Sequence, residues 1–114
     1  MPKELGGISL ETLVHQQINA VNDLLELGYK MYYFRTSTGV EVDFILYGKN
    51  GIKAVEVKAT DHFQDNMLAG LKNFSADYPE AKLYLLYGGT KRMYVDNVII
   101  LPVQEALLTL DKWL

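Results

Sequence analysis

The sequence lacks cysteine and has few histidines, and these shortages exclude several kinds of chemistry. With no cysteine among its 114 residues, the chain can form no disulfide bond, thiolate zinc site or cysteine nucleophile. Its two histidines, His15 and His62, lack metal-binding spacing, so oxygen atoms are the main ligands left for a metal ion. The sequence also lacks a Walker-type phosphate loop and a serine-histidine-acid arrangement with a nucleophile elbow.

Long hydrophobic runs are also missing. No segment approaches the roughly 20 uninterrupted apolar residues that span a bilayer, and the N-terminus has no signal-peptide core, so we expect a cytoplasmic protein without membrane contact. No repeat or linker marks a boundary, which favours one α/β domain over residues 1–114. The formal charge of −3 argues against tight non-specific binding to nucleic acid. It does not exclude a nuclease, because a bound metal reverses the local sign.

Hydrophobic periodicity predicts the order α-β-β-β-α-β, followed by an edge strand and a C-terminal helix, around a mixed central sheet. The first helix is expected from about Ser9 to Leu27 after Gly6-Gly7, with Leu24 and Leu25 on its apolar face and Gly28 as its stop. The other expected elements are strands over 29–36, 41–47, 52–59, 82–87 and 94–101, a helix opened by a capping box at Asp61-His-Phe-Gln64 and ending near Ala76, and a closing helix from Pro102 through Trp113.

Two alternating runs joined by Gly48-Lys-Asn-Gly51 predict a β-hairpin with chemically distinct faces. A two- or four-residue loop would place Asp43 opposite Glu56, whereas a type I′ turn at Asn50-Gly51 would place Asp43 opposite Lys58. Directly opposed residues have Cβ atoms about 5 Å apart and diagonal ones about 7–8 Å, so either register brings the two carboxylates within reach of a common ion. The alternation puts Asp43, Glu56 and Lys58 on one face and Val42, Phe44 and Leu46 on the other.

The charged face of this hairpin has two explanations. Glu and Lys are ordinary residues on the solvent face of an amphipathic hairpin. Against that explanation, Ile45, Tyr47, Ile52 and Ala54 share the face, which predicts that it is covered, with the carboxylates collected at one rim. Covered carboxylates need partners, and a divalent metal ion is the strongest candidate.

Several segments together suggest a family. Their sequences are Gly6-Gly7 with Glu11-Thr-Leu-Val14, Tyr33-Phe34-Arg35-Thr36, Gly39-Val-Glu-Val-Asp-Phe44, Ala54-Val-Glu-Val-Lys58, Leu68-Ala-Gly-Leu-Lys-Asn-Phe74 and Leu101-Pro102. With the element order, they resemble the PD-(D/E)XK nuclease superfamily, which has a restriction-endonuclease-like fold. In more detail, nearly the whole chain resembles the uncharacterised nuclease-like domain that follows the ATPase module in many prokaryotic AAA-type ATPases.

The resemblance implies Mg²⁺- or Mn²⁺-dependent hydrolysis of phosphodiester bonds in DNA. It implies Asp43 and Glu56 as metal ligands and Lys58 beside the attacking water. Because Mg²⁺ accepts carboxylate and carbonyl oxygens while retaining several waters, we assign a third ligand to the backbone carbonyl of Val57. Such an ion activates water and offsets charge on the phosphate. Lys58 would orient the nucleophile, lower its pKa or contact the phosphate.

Four other residues are secondary candidates. Glu11 matches a first-helix glutamate that points at the site in the superfamily, although an acid stabilised by the helix dipole would occupy the same position. Glu41 could add a ligand, pair with Lys58 or be solvated. Gln64 could be an active-site polar group and Lys72 could reach phosphate, but a capping box and a solvated helix face explain them equally well.

The sequence leaves two functions open. The leading hypothesis is a DNA nuclease that acts as a homodimer or as a module tethered to another DNA-binding unit. The second hypothesis is a catalytically silent nuclease-fold domain that contacts an AAA-type ATPase or another copy of itself. The acidic balance and the absence of a clear basic track favour the second hypothesis, whereas the charged residues of the hairpin favour the first.

Overall fold

A six-stranded mixed sheet with helices on both faces forms the core of the protein. The computed structural model describes residues 4–5 and 8–114, so Gly6-Gly7 lies outside the described residues. In chain order the elements are β1 (Glu4–Leu5), β2 (Ile8–Ser9), α1 (Leu10–Leu24), β3 (Lys30–Arg35), β4 (Glu41–Gly48), β5 (Gly51–Lys58), a 3-10 helix (Asp65–Leu68), α2 (Ala69–Asp77), β6 (Lys82–Tyr87), β7 (Met93–Val95), β8 (Val98–Pro102), α3 (Val103–Leu108) and α4 (Leu110–Trp113). The expected α/β class with a mixed sheet is confirmed.

The strands of the large sheet follow the order β3-β4-β5-β6-β8-β7. Strands β3, β4 and β5 form an antiparallel meander, and α2 lies in the crossover to β6, which is parallel to β5. Strand β8 is parallel to β6, so the carboxyl ends of β5, β6 and β8 lie together at one end of the strands. At that end Lys58 pairs with Tyr87, and Tyr87 pairs with Pro102.

Each face of the sheet has its own hydrophobic cluster. Helices α1, α3 and α4 cover one face, where Val14 and Ile18 are fully buried, and α2 covers the other through Leu71 and Phe74. Burial of these side chains removes them from water, which is the main favourable contribution to folding. The sheet is therefore covered on both faces, and Lys53 and Glu56 of its central strand β5 are buried charged residues.

Strand β4 carries a β-bulge next to the predicted charged site. Two of its residues, Asp43 and Phe44, lie opposite the single residue Tyr33 of β3. Val42 therefore packs on the α2 side of the sheet, whereas Phe44 and Leu46 pack on the α1 side. The predicted alternation that put all three on one face is wrong, because the extra residue shifts the side-chain period by one.

The loop between β4 and β5 has two residues. Gly48 pairs with Gly51, and the ladder continues to the pair formed by Phe44 and Val55. This is the register in which Asp43 lies beside Glu56, and the alternative with a type I′ turn at Asn50-Gly51 is wrong. Gly51 has a φ of +100°, which glycine adopts without steric cost.

Helix α1 ends earlier than predicted. It stops at Leu24 rather than Leu27, because the backbone becomes left-handed at Glu26 (φ +53°) and Gly28 (φ +77°) as the chain turns toward β3. Leu24 and Leu25, predicted on the apolar face of the helix, are exposed.

The predicted capping box at Asp61 does not form. Instead, the Thr60 hydroxyl accepts a hydrogen bond from the His62 N–H at 3.2 Å and so holds this segment in a local turn. Gln64 is extended, with a φ of −133° and no side-chain cap, and the 3-10 helix begins at Asp65. The N-cap of the 3-10 helix is therefore three residues later than predicted, and the α-helix itself begins only at Ala69.

Strands β7 and β8 form a hairpin that was not predicted from the sequence. The expected single strand over 94–101 is divided into β7 and β8 by Asp96 and Asn97. Both turn residues have positive φ values, +53° and +74°, as a type I′ turn requires.

The closing helix is also divided. Thr109 separates α3 from α4, and its hydroxyl donates to the Glu105 carbonyl at 2.9 Å, within the last turn of α3. Pro102 ends β8 and precedes the helix instead of lying in its first turn. Within the described residues, no helix has the length and apolar character needed to cross a membrane.

Candidate carboxylate and lysine site

The Asp43 and Glu56 side chains are held together by backbone hydrogen bonds. The Val57 N–H donates to Asp43 Oδ2 at 2.8 Å, and the Asp43 N–H donates to Glu56 Oε1 at 3.0 Å. The last ladder pair between β4 and β5 is Phe44 with Val55. Beyond it, carboxylate oxygens accept bonds from backbone N–H groups, which would otherwise need other partners. These backbone bonds thus fix the two carboxylates side by side.

Lys58 completes this group at the carboxyl end of β5. Its Nζ lies 3.4 Å from Glu56 Oε2. The Glu56 side chain is only 8 % exposed, whereas that of Lys58 is 40 % exposed. A buried carboxylate without a cation or hydrogen bonds would be strongly unfavourable. The structure therefore brings Asp43, Glu56 and Lys58 together, with the lysine accessible to a ligand from solvent.

Glu11 reaches the same site from the first turn of α1. It shares a cavity of about 180 Å³ with Val57 and Ala59. A hydrogen bond to Asp43, followed by partial burial and the negative charges of Asp43 and Glu41, raises the pKa of Glu11 to about 7. Glu11 is thus close to Asp43, one of the two hairpin carboxylates.

Asp43 lies between Glu11 and Glu56 and is perturbed by both. Burial, followed by the hydrogen bond to Glu56 and the charge of Glu56, raises the pKa of Asp43 to about 7. Hydrogen bonds from Glu11 and from the Val57 N–H act in the opposite direction. Both groups therefore hold a proton more readily than isolated carboxyls do, Glu11 because of Asp43 and Asp43 because of its burial and of Glu56. A cation would relieve the repulsion that now favours these protons.

The donor atoms fit a hard divalent cation with few protein ligands. Among the residues that the structure describes, no group of three or more His, Cys, Asp and Glu side chains is arranged to hold a metal ion. Asp43 and Glu56 each use one oxygen for a backbone N–H. Of the other oxygens, Glu56 Oε2 faces Lys58 Nζ. Together with the second Asp43 oxygen and the adjacent backbone of Val57, it forms an oxygen-only set of the kind that Mg²⁺ accepts while it keeps several waters.

Glu41 is close to this site but has other partners. The Tyr33 hydroxyl donates to Glu41 Oε2 at 2.6 Å, and Arg35 Nε lies 3.9 Å from the same oxygen. Of the alternatives that the sequence left open for Glu41, the pairing with Lys58 is not formed. Tyr33, which orients Glu41, was not among the sequence candidates, because only the bulge reveals which residues of β3 and β4 are neighbours.

Lys72 and Gln64 are not brought into the carboxylate group. Lys72 Nζ lies 2.7 Å from Asp96 Oδ2 at the turn between β7 and β8. Gln64 is exposed in the connection between β5 and the 3-10 helix.

The metal-free protein should lose stability as the pH rises from 5 to 8. Glu11 and Asp43 have folded pKa values of about 7, against about 4 in an unfolded chain. The folded state binds more protons in this interval, so the free energy of unfolding falls with pH. The stabilisation is complete below pH about 4 and is lost as the pH rises through about 7.

We expect the free energy of unfolding to decrease by about 2 kcal/mol between pH 5 and pH 8. This is well below the sum that the two pKa shifts would give separately, because the two groups are coupled and Glu11 is largely exposed. Thermal unfolding at pH 5 and pH 8 with a chelator measures it, and Asp43→Asn, which removes one of the groups, should flatten the profile. A wild-type stability that stayed constant or rose over this interval would contradict the proposed proton sharing.

Comparison with known proteins adds a family but no activity. A family model described as a domain of unknown function, DUF4143, matches residues 6–106. A search of curated proteins found no match to the chain. The matched segment includes all the residues of the carboxylate and lysine site.

Proposed function

Because the chain belongs to the DUF4143 family, which is described only as a domain of unknown function, its activity must follow from its own residues, and we propose that it is a divalent-metal-dependent nuclease. It hydrolyses phosphodiester bonds of DNA and has the restriction-endonuclease-like fold of the PD-(D/E)XK superfamily. The observation that carries the proposal is the contact between Asp43 and Glu56 beside an accessible Lys58. These three residues are the ones to which the resemblance to the nuclease superfamily assigns the metal ligands and the lysine beside the attacking water.

Asp43 and Glu56, with the Val57 carbonyl, would hold Mg²⁺ or Mn²⁺. When bound, such an ion polarises the phosphate and lowers the pKa of a water molecule. The backbone bonds from Val57 and Asp43 restrict rotation of the two carboxylates, so the ligands are ordered before any ion binds. Glu11 forms a hydrogen bond with Asp43 from α1 and serves as a positioning residue for that carboxylate.

Lys58 is suited to bind the phosphate that is cleaved. Its ammonium group is linked to Glu56 at 3.4 Å and remains 40 % exposed, so it can contact a phosphate oxygen without leaving its ion pair. A fixed positive charge there favours the charge that develops on the phosphate during attack. Lys58 lies where the carboxyl ends of β5, β6 and β8 come together. Ligands commonly bind at this end of the strands in α/β sheets.

The proposal is tested by incubating the purified chain with supercoiled plasmid and Mn²⁺. We expect nicked and linear products, and Lys58→Met should lower the cleavage rate about 100-fold, since it removes one charged stabilising group. Calorimetric titration with Mn²⁺ should show that this variant still binds the ion, because neither carboxylate is changed.

Lys49→Ala is the matched control. Lys49 is exposed on the same hairpin but lies in the loop between β4 and β5, at the end opposite Lys58. It should cleave at the wild-type rate. If the wild-type protein bound Mn²⁺ but cut neither duplex nor single-stranded DNA, the nuclease proposal would be rejected in favour of a silent domain.

A further inference from the structure

An aromatic groove of about 580 Å³ lies between β3 and the C-terminal end of α2. Four tyrosines that line it, Tyr32, Tyr33, Tyr47 and Tyr78, are each between 44 % and 59 % exposed. The remaining apolar lining residues are Phe34, Ile45, Ile52 and Phe74. Contiguous exposed aromatic surface of this kind is typical of interaction sites, where Tyr is an enriched anchor residue.

The groove is acidic. Asp77 and Glu80 are the charged residues of its lining, which contains no Lys or Arg. Within the described part of the chain, neither carboxylate forms an ion pair. A cationic occupant would therefore gain two partners, whereas the phosphates of a nucleic acid would be repelled.

Strand β3 adds backbone hydrogen-bonding capacity beside the groove. Among the described strands, β3 pairs with β4 alone and is an edge of the sheet. Such an edge exposes N–H and C=O groups to which an extended peptide can add as a further strand.

A second copy of the chain is a poor candidate for that strand. Lys30 and Arg35 are the first and last residues of β3. In antiparallel pairing of two β3 strands about their centre, Lys30 would lie opposite Arg35 of the partner subunit, and like charges directly opposite each other are destabilising. A segment from a different protein can avoid this repulsion by placing uncharged or acidic residues opposite Lys30 and Arg35.

We propose that the aromatic groove and the edge of β3 bind an extended peptide segment of a partner protein, with apolar side chains at alternate positions and Lys or Arg beside them. The backbone of the segment pairs with β3. Its apolar side chains contact Tyr32 and Tyr47, and its cations meet Asp77 and Glu80. The proposal does not depend on nuclease activity, because Tyr47 borders the hairpin loop, at the end of β4 opposite Asp43.

A phage-displayed library of random ten-residue peptides, selected on the intact chain, tests the proposal. We expect selected sequences with alternating apolar residues and Lys or Arg. A synthetic peptide with the selected sequence, followed by fluorescence anisotropy, should bind Tyr47→Ala about tenfold or more weakly than wild type. The double variant Asp77→Lys, Glu80→Lys should weaken binding by a similar factor, since it reverses the groove's charge.

Tyr94→Ala is the matched control, because Tyr94 is a highly exposed tyrosine on β7, the opposite edge of the sheet. It should bind the peptide like wild type, and circular dichroism confirms that each variant is folded. Acidic selected sequences, a failure to select any peptide, or equal binding by Tyr47→Ala and Tyr94→Ala would overturn the proposal. A dimer that Tyr47→Ala dissociates would also overturn it, by assigning the groove to a second copy.

Discussion

Asp43→Asn should abolish metal-dependent DNA cleavage while leaving the metal-free protein at least as stable as wild type at pH 8. Asparagine keeps the oxygen that accepts from the Val57 N–H, and its amide can donate to Glu56. It removes the negative charge that burial and the neighbouring Glu56 now oppose. We expect cleavage to fall by more than about 100-fold, the upper range for losing a residue that only supports a ligand.

The opposite signs of the two effects separate chemistry from folding. A variant that lost activity because it unfolded would also lose stability, whereas Asp43→Asn should lose activity alone. Plasmid cleavage with Mn²⁺ and thermal unfolding in a chelator, on the same preparation, measure both quantities. If the variant retained cleavage within tenfold of wild type, Asp43 would not be a metal ligand, and the proposed site would be wrong.

Gly70→Ala should destabilise the fold by about 3 kcal/mol, at the upper end for overpacking. Gly70 lies in α2, and a Cβ atom built on it overlaps the backbone carbonyl oxygen of Glu41 in β4. Because that atom belongs to the backbone, no side-chain rotation relieves the overlap. Helix propensity alone predicts the reverse sign, a gain of up to about 1 kcal/mol for replacing glycine by alanine.

Urea unfolding of Gly70→Ala and of Asn73→Ala measures this effect against a matched change. Asn73 is exposed in the same helix, so its replacement by alanine should be neutral or slightly stabilising. A Gly70→Ala protein as stable as wild type would show that α2 can move away from β4 without loss. In that case the helix would not help to fix the bulge that begins two residues after Glu41.

The periodicity of the sequence predicts much of the fold. Strand β6 is found at the predicted 82–87, because a continuous apolar run without glycine or proline suits a strand covered on both faces. Helix ends are predicted less well. The turn at Thr60 and the left-handed Glu26 depend on local hydrogen bonds and on the path of the chain into the sheet, which residue periodicity does not contain.

The site shows the same division between local and distant information. The alternation along the hairpin predicted that Asp43 would lie near Glu56 in either register, and the structure selects the register in which the two are side by side. The bulge was not predictable, because it is defined by the pairing of β4 with β3 across a separate loop. Glu11 was placed at the site by resemblance to a family, since no local pattern relates a helix surface to a strand that begins 30 residues later.

The bulge in β4 also implies that a more regular sheet would come at the expense of the acidic site. Deleting one residue there would restore an uninterrupted ladder between β3 and β4, and it would send the side chains before the deletion to the opposite faces of the sheet. Such a protein could gain regularity while dispersing its acidic residues. Directed evolution for heat resistance alone would therefore be expected to erode this irregularity, whereas selection for turnover would retain it.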